Sequence, residues 1–244
     1  MNKYKPEMSF ADNVAEGYDN DSIRGDEEAT VAFLERFAQG GRALELAIGT
    51  GRIALPLATK GIRVDGIDFS PSMIAKLRAK PGGNKLFISM GNFADVAVSD
   101  KYDLIYIVFN TLFNLLTQDE QIRCFENVSA HLTESGVFIV EGGVPTEFCR
   151  LRNNQYVDLE NIEVDKVHLD TARYNPVTQL LEETHITISN QGAQLFPIVT
   201  RYIWPAELDL MARIAGLQLK ERWANWNREL MTASSNNCIS VYGR

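Results

Sequence analysis

The chain has 244 residues, of which 45% are hydrophobic, and a formal charge of -8. This composition supports one full core, and the acidic balance argues against a nucleic-acid partner. No apolar run approaches the ~20 residues of a membrane span, and the N-terminus lacks a signal-peptide pattern, so the sequence predicts a cytoplasmic protein that does not bind a membrane. The three cysteines have no metal-ligand spacing, which predicts no metal site and reduced thiols: Cys124, Cys149 and Cys238.

The first 25 residues are polar and weakly patterned, with Tyr18 as the feature that stands out. Tyr18 either packs this segment onto the body or closes a ligand site from above. Asp26 then has the character of an N-cap, and the helix that it begins ends at Gly40-Gly41.

The stretch from Ala43 to Asp68 reads as an apolar strand, a Gly49-Thr50-Gly51 turn, a helix and a second strand. This order is typical of the mononucleotide-binding half of a doubly wound α/β sheet. Glycines at the turn allow the backbone to approach a ligand closely. Asp68, at the end of the second strand, is placed to bind ribose hydroxyls.

The next elements continue the strand and helix alternation. Ser70-Pro71 begins a helix, a third strand is predicted over Lys85–Met90, and Tyr102–Phe109 is apolar enough for a central parallel strand. Thr117 and Glu120 form a capping box before the next helix, and a fifth strand is predicted over Val137–Glu141.

After the fifth strand the pattern changes. Residues from about 151 to 203 are more polar and predict antiparallel strands, with a turn at Asn190-Gln191-Gly192. A helix is predicted from Pro205, followed by two consecutive strands, Leu217–Trp223 and Cys238–Tyr242. Two strands without a helix between them indicate an antiparallel pair at the end of the sheet.

Five segments in order resemble the motifs of the class I S-adenosylmethionine-dependent methyltransferases, from about Tyr18 to the end of the chain. Ala47 stands where glycine is usual in the first motif, and Asn92 replaces the aspartate of the adenine-binding segment, although its carbonyl can still accept a hydrogen bond. The closing helix resembles that of small-molecule and peptide N-methyltransferases. The matching segments are Glu45–Gly51, Gly66–Met73, Gly91–Phe93, Tyr102–Ile105 and Leu132–Val137.

The resemblance implies a Rossmann-like, doubly wound, mostly parallel α/β sheet of seven strands, with an antiparallel C-terminal strand pair and an antiparallel β insertion. We expect one methyltransferase domain over 1–244, with its core at about 26–150 and 204–244 and the insertion covering the acceptor site. The expected cofactor is S-adenosyl-L-methionine, and the acceptor is a nitrogen or oxygen of a small molecule or short peptide. The expected cofactor-binding residues are Tyr18, Glu45, Ala47, Gly49, Gly51, Asp68, Phe69, Ser70, Met73, Asn92, Phe93 and Asn110.

No nucleophile is needed for such a transfer, so the candidate catalytic residues are few: Tyr18, Asn110 and Glu141. Glu141 is the best-placed candidate for a general base. The stronger interpretation of Glu141 is a structural carboxylate at a strand end whose hydrogen bonds are satisfied within the protein. Asn110, Thr111 and Asn114 follow the fourth strand, and we expect that one of them touches cofactor or acceptor.

Two alternatives stay open at this point: an NAD-dependent oxidoreductase and a non-catalytic cofactor-binding protein of the same fold. The turn with Ala54 also satisfies the dinucleotide fingerprint. Glu45 inside the first strand, the single nucleotide-binding half and the antiparallel ending argue against NAD. The sequence leaves the acceptor, the choice between N and O methylation, and the oligomeric state undetermined.

Overall fold

The computed structural model describes residues 4, 18–19, 24–38, 40–95, 98–148 and 151–244. Cys149 lies outside them, and Cys124 and Cys238 are buried free thiols. The helices are α1 Glu27–Ala38, α2 Ala54–Thr59, α3 Pro71–Ala79, α4 Gln118–His131 and α5 Pro205–Ile214. The strands are β1 Arg42–Leu46, β2 Arg63–Asp68, β3 Phe87–Met90, β4 Tyr102–Ile107, β5 Leu132–Gly143, β6 Gln155–Ile162, β7 Lys166–Asn175, β8 Leu180–Ser189, β9 Gly192–Arg201, β10 Gln218–Trp223 and β11 Asn237–Gly243.

Seven strands form the main sheet in the order β10-β11-β5-β4-β1-β2-β3. The pairs among β1 to β5 are parallel, whereas β11 is antiparallel to both β5 and β10. The predicted fold class, including the antiparallel ending, is confirmed. The chain order reverses between β1 and β4, and in such sheets the carboxyl ends of the strands at this point leave a crevice for a ligand.

Two apolar clusters cover the two faces of this sheet. One contains Phe125, which meets Phe138 and Tyr242 edge to face at 5.2 and 5.8 Å. The other buries the stripe of α1 that includes Leu34, together with Leu57 of α2. Within the described residues, each helix falls short of the length and apolar character that a bilayer span needs.

The local signals that were read from the sequence mark most element boundaries well. Ser70 caps α3 and Pro71 is its first residue, and the Thr117 and Glu120 capping box forms as predicted. The third strand begins at Phe87 because residues 83–85 form a 3-10 turn. The fifth strand is longer than predicted and begins at Leu132, directly after α4.

Strands β6 to β9 form a separate four-stranded antiparallel sheet in chain order, as the change of pattern predicted. Ser189 pairs with Gly192 across the predicted turn. Phe148, Tyr174 and Tyr202 stack against one another with ring centres 5.2 to 6.1 Å apart and join this sheet to the main core. We call residues 155–201 the insertion sheet.

Candidate active site

A cleft opens where the carboxyl ends of β1, β2 and β4 meet. Because these strands are neighbours in the sheet, residues that are far apart in sequence converge at this edge. The lining residues are Tyr18, Ala47, Gly49, Asp68, Phe69, Met73, Phe93, Thr111 and Asn114. Seven of them are predicted cofactor-binding residues, and the other two belong to the segment after the fourth strand.

The turn after β1 is built from left-handed backbone. Ala47, Gly49 and Gly51 have φ values of 57°, 54° and 77°. A side chain at Gly51 would collide with Leu77, whose Cγ would be 2.9 Å away. Around Gly49 the space is open, since a Cβ there would be 4.0 Å from the Ala47 carbonyl oxygen. The backbone of this turn can therefore lie directly against a ligand.

Asp68 is the carboxylate of the cleft, and only 6% of it is exposed. It accepts hydrogen bonds from the backbone N–H groups of Gly49 at 2.7 Å and Ser70 at 2.8 Å. Burial raises the pKa of this carboxyl, and the N–H donors of Ser70, Gly49 and Phe69 act in the opposite direction. Asp68 thus holds the glycine turn and the start of α3 in place while it forms part of the cleft wall.

Glu45 lies beneath the turn, buried in β1, and does not line the cleft. It accepts a hydrogen bond from the Tyr106 hydroxyl at 3.0 Å and another from the N–H of Ala54. Burial raises the pKa of Glu45 to about 8, with opposition from the Tyr106 hydrogen bond and a further increase from Asp68. Glu45 supports the turn from within the core.

Tyr18 and Asp19 are fastened over the glycine turn. The Tyr18 carbonyl accepts from the Arg52 guanidinium, which also lies 5.1 Å from the Tyr18 ring centre. Asp19 accepts from the Thr50 hydroxyl at 2.6 Å and pairs with Lys80 at 2.7 Å. Burial raises the pKa of the Tyr18 phenol although Arg52 opposes it, so the phenol stays protonated near neutral pH.

The segment after β4 is held by Glu141. Phe109 and Asn110 both have φ of 60°, a left-handed conformation that is uncommon outside glycine. The buried Glu141 carboxylate accepts from the Phe109 N–H at 2.7 Å, from Arg24 at 2.6 Å and from Asn237 at 3.0 Å. Its oxygens are therefore engaged by donors that hold the backbone in this conformation.

The remaining predicted site residues lie around the cleft without being part of its wall. The side-chain carbonyl oxygen of Asn110 accepts from the Gly143 N–H at 2.6 Å. The side-chain carbonyl oxygen of Asn92 accepts from the Ala94 N–H at 2.9 Å, and the Ser70 hydroxyl caps α3. Gly51, Ser70, Asn92, Asn110 and Glu45 thus shape the surroundings of the lining residues.

The histidines lie elsewhere. His131 contacts the carbonyls of Asn127 and Val98, and His168 contacts the Thr187 hydroxyl. His185 pairs with Asp170 on the insertion sheet. Glu160 joins this pair, with ligand atoms of all three residues within 4.8 Å of one another, in the one cluster of metal-ligand type that the described residues contain.

Three residues that fasten Tyr18 and Asp19 were not predicted: Thr50, Arg52 and Lys80. Thr50 lies inside the recognised motif, but Arg52 and Lys80 carry no pattern that distinguishes them from surface cations. The partners are 30 or more residues apart in sequence, beyond the reach of local patterns.

Comparison with known proteins identifies the class. The sequence profile of the methyltransferase domain family matches residues 43–136. The chain is 38% identical to the CcbJ methyltransferase of Streptomyces caelestis, whose structure superimposes with a TM-score of 0.91 over 98% of this chain and 99% of that one. We conclude that the chain belongs to the class I S-adenosylmethionine-dependent methyltransferases and is an enzyme of this class.

Two further relatives extend the comparison. The cypemycin N-terminal methyltransferase of a Streptomyces species is 25% identical over 84% of each chain. The S-adenosylmethionine-bound structure of CalS10, an amino pentose methyltransferase from Micromonospora echinaspora, has a TM-score of 0.67 at 19% identity, over 100% of this chain and 99% of that one. At that identity the likeness concerns the fold.

The cleft fits S-adenosylmethionine, the cofactor of this class. Asp68 provides a carboxylate suited to hydroxyl groups, Phe69 and Phe93 provide aromatic surface, and the open space over Gly49 admits a ligand against the backbone. The Gly-x-Gly turn alone left open the choice between S-adenosylmethionine and NAD, and the family to which the chain belongs decides it in favour of S-adenosylmethionine.

Proposed function

We propose that this methyltransferase methylates an amine nitrogen of a small molecule or short peptide. The observation that carries the proposal is that the cleft has no carboxylate or imidazole available as a base, among the residues that the structure describes, apart from Asp68. An amine needs only to arrive unprotonated, whereas a hydroxyl acceptor usually needs a general base.

The proposed cofactor contacts follow from the cleft lining. Asp68 would bind the ribose hydroxyls, while Phe69, Met73 and Phe93 would hold the adenine. Ala47, Gly49 and Gly51 would lie along the methionine part, with Glu45 supporting their turn from below. Ser70 and Asn92 would act by fixing the turns that carry Phe69 and Phe93.

The acceptor would enter beside Tyr18, Thr111 and Asn114. When bound, S-adenosylmethionine supplies a methyl group that its sulfonium already activates. The protein has to hold the acceptor in line and keep water out, and such positioning can lower a barrier by about 7–11 kcal/mol. Because burial keeps the Tyr18 phenol protonated, we propose that it orients the acceptor through hydrogen bonds and does not remove a proton.

Asn110 and Glu141 take supporting roles in this proposal. Glu141 is engaged by Arg24, Asn237 and the Phe109 N–H, so it would fix the loop that carries Thr111 and Asn114. Asn110 would do the same through Gly143. Neither residue would exchange a proton with the acceptor.

The names of the relatives support nitrogen as the acceptor atom. One is an N-terminal methyltransferase of a peptide, another an N,N-dimethyltransferase of an amino sugar nucleotide, and a third a sugar N-methyltransferase. The insertion, at about 151–203 within a single domain, would select among such acceptors, since its strand β9 contacts the turn at Thr111–Asn114. A cytoplasmic location remains the prediction from the sequence.

Matched acceptors test the proposal. Amino sugars and short peptides with a free N-terminus would be compared with their hydroxyl and N-acetyl counterparts, with S-adenosylhomocysteine and methylated product measured by mass spectrometry. We expect product only from free amines, with a rate that rises as the pH approaches the pKa of the amine. Methylation of the hydroxyl counterparts instead would contradict the proposal.

A further inference from the structure

The two faces of the insertion sheet differ in character. Side chains alternate between faces along each strand, and directly paired residues share a face. Ala172, Tyr174 and Leu181 lie on the face that joins the main core. The opposite face, which we call the outer face, carries the neighbours of these residues in sequence.

Aliphatic side chains form continuous rows across all four strands of the outer face. Cross-strand pairing places Leu159 opposite Leu169, Leu169 opposite Ile186, and Ile186 opposite Leu195. A second row runs beside the first in the same way, and Val157 borders the first row on the other side. The second row is Ile162, Val167, Ile188 and Ala193.

Most of these side chains are exposed in the isolated chain, and Val167, Leu169 and Ile186 on the two central strands are partly buried. Leu195 is 66% exposed, Ile162 65% and Val157 72%. The row on the other side of the first is Val157, Thr171, Thr184 and Pro197, so it is only partly aliphatic. Four strands spaced by about 4.8 Å, and these three rows spaced by about 6.7 Å, give a flat footprint of about 400 Å², of which the two aliphatic rows make up about two thirds. The largest apolar patch of a typical monomer covers roughly 300–600 Å², and such patches often mark interaction sites.

The charges favour a second copy of this chain as the partner. Strands β6 to β9 lie wholly in the described range 151–244. Apart from Arg201, which is buried at the base, their outer-face positions carry two charged residues, Arg173 and Glu182. These two form an ion pair with each other. The face is therefore neutral, whereas the whole chain carries -8. Anionic lipid surfaces repel such a protein, while two neutral faces can approach each other without opposing charges.

The area is also suitable for self-association. Partners in a standard interface each contribute about 800 Å² of accessible surface. The accessible surface of the outer face is larger than its flat footprint because side chains protrude, and the polar residues at the rim add to the contact. Two antiparallel sheets pack face to face at about 10 Å with their strands nearly aligned. A two-fold axis lets the same rows serve both partners.

We propose that the outer face of the insertion sheet is a self-association surface, through which two copies of the chain pack sheet against sheet. Sedimentation velocity of the full chain tests this. We expect the wild-type protein to have at least twice the 27.4 kDa of one chain. We expect Ile188→Lys, on the central strand β8, to halve that mass because each copy would bring an unpaired lysine into the apolar interface.

Leu210→Lys on α5 is the matched control, since Leu210 is also exposed (56%, against 44% for Ile188) but lies outside the insertion sheet. It should keep the wild-type mass. Circular dichroism and the thermal shift with S-adenosylmethionine should show that both variants are folded. A wild-type protein that sediments at 27.4 kDa at every concentration, or an unchanged mass in folded Ile188→Lys, would overturn the proposal.

Flotation with phosphatidylcholine vesicles distinguishes a lipid surface. We expect the wild-type protein to stay in the dense bottom fraction while the vesicles float. Flotation of the wild type that Ile188→Lys abolishes would assign the face to a membrane and would also refute self-association as its role.

Discussion

At the scale of single residues, the buried Glu45 both supports the glycine turn and makes the stability of the protein depend on pH. Its carboxyl lies in the core under the glycine turn, with Tyr106 and the N–H of Ala54 as donors. The pKa of an unperturbed glutamate is 4.5, and burial raises that of Glu45 to about 8. The folded protein therefore binds this proton more tightly than the unfolded chain does.

The pH dependence of stability tests this account. A folded pKa above the unfolded one means that the contribution of Glu45 is complete below about pH 4.5 and is lost as the pH rises to about 8. Glu45→Gln mimics the protonated form and has no proton to lose. We expect it to match the wild type near pH 5 and to exceed it by on the order of 3 kcal/mol near pH 9, by urea unfolding.

Asp100→Asn, at an exposed carboxylate, serves as the control and should follow the wild-type curve. If Glu45→Gln and the wild type lose stability in parallel between these pH values, Glu45 is ionised in the folded protein and the explanation is wrong.

The sequence predicted the residues of the cleft better than their contacts. Gly49, Asp68 and Phe93 were predictable because each lies at or just after the end of a strand, and neighbouring parallel strands end together. Ala47 shows why its position usually holds glycine, since its φ of 57° is left-handed. Arg24 and Glu141 are 117 positions apart in the sequence, and no local pattern predicts a contact over that separation.

At the scale of elements, Arg201 connects the insertion sheet to the main body. It lies at the end of β9, is 3% exposed, and pairs with Glu207 of α5 at 2.7 Å. It also donates to Gln121 of α4 and to Gln179 before β8. One guanidinium thus connects α4 and α5 of the main body with β9 and the turn before β8 in the insertion.

Removal of this side chain should destabilise the protein strongly. Arg201→Ala leaves the partly buried Glu207 without its cation and the buried Gln121 without its donor, which should cost about 2–3 kcal/mol. Arg123→Ala removes an exposed ion pair with Asp95 and should cost less than about 1 kcal/mol. Urea unfolding of both variants makes the comparison. Equal losses would mean that the Arg201 contacts do not hold the insertion in place.

The elements themselves were largely readable from the sequence. The capping box at Thr117 and the proline at the start of α3 and α5 are local signals, and each marks a helix start. The insertion sheet was recognised as antiparallel from its turns. Its apolar outer face was not, because strand register decides which residues share a face, and register is fixed by pairing between strands.

At the scale of the whole molecule, the cofactor cleft joins segments that are far apart in the sequence. Tyr18 and Asp19, the glycine turn, the start of α3 and the turn after β4 all meet there. A ligand in the cleft contacts only the folded state, so its binding free energy adds to the stability of the whole chain.

Thermal unfolding with ligands therefore reports on the cleft as a unit. S-adenosylmethionine at 100 times its Kd should add about 2.7 kcal/mol, which raises Tm by roughly 5–11 °C for a domain of this size. Asp68→Ala removes the proposed ribose contact, so we expect at least tenfold weaker binding and a shift smaller by about 1.4 kcal/mol or more at the same concentration. Asp100→Ala should keep the full shift because its carboxylate is exposed and remote from the lining residues. NADH should leave Tm unchanged, and a full shift in folded Asp68→Ala would show that Asp68 does not bind the cofactor.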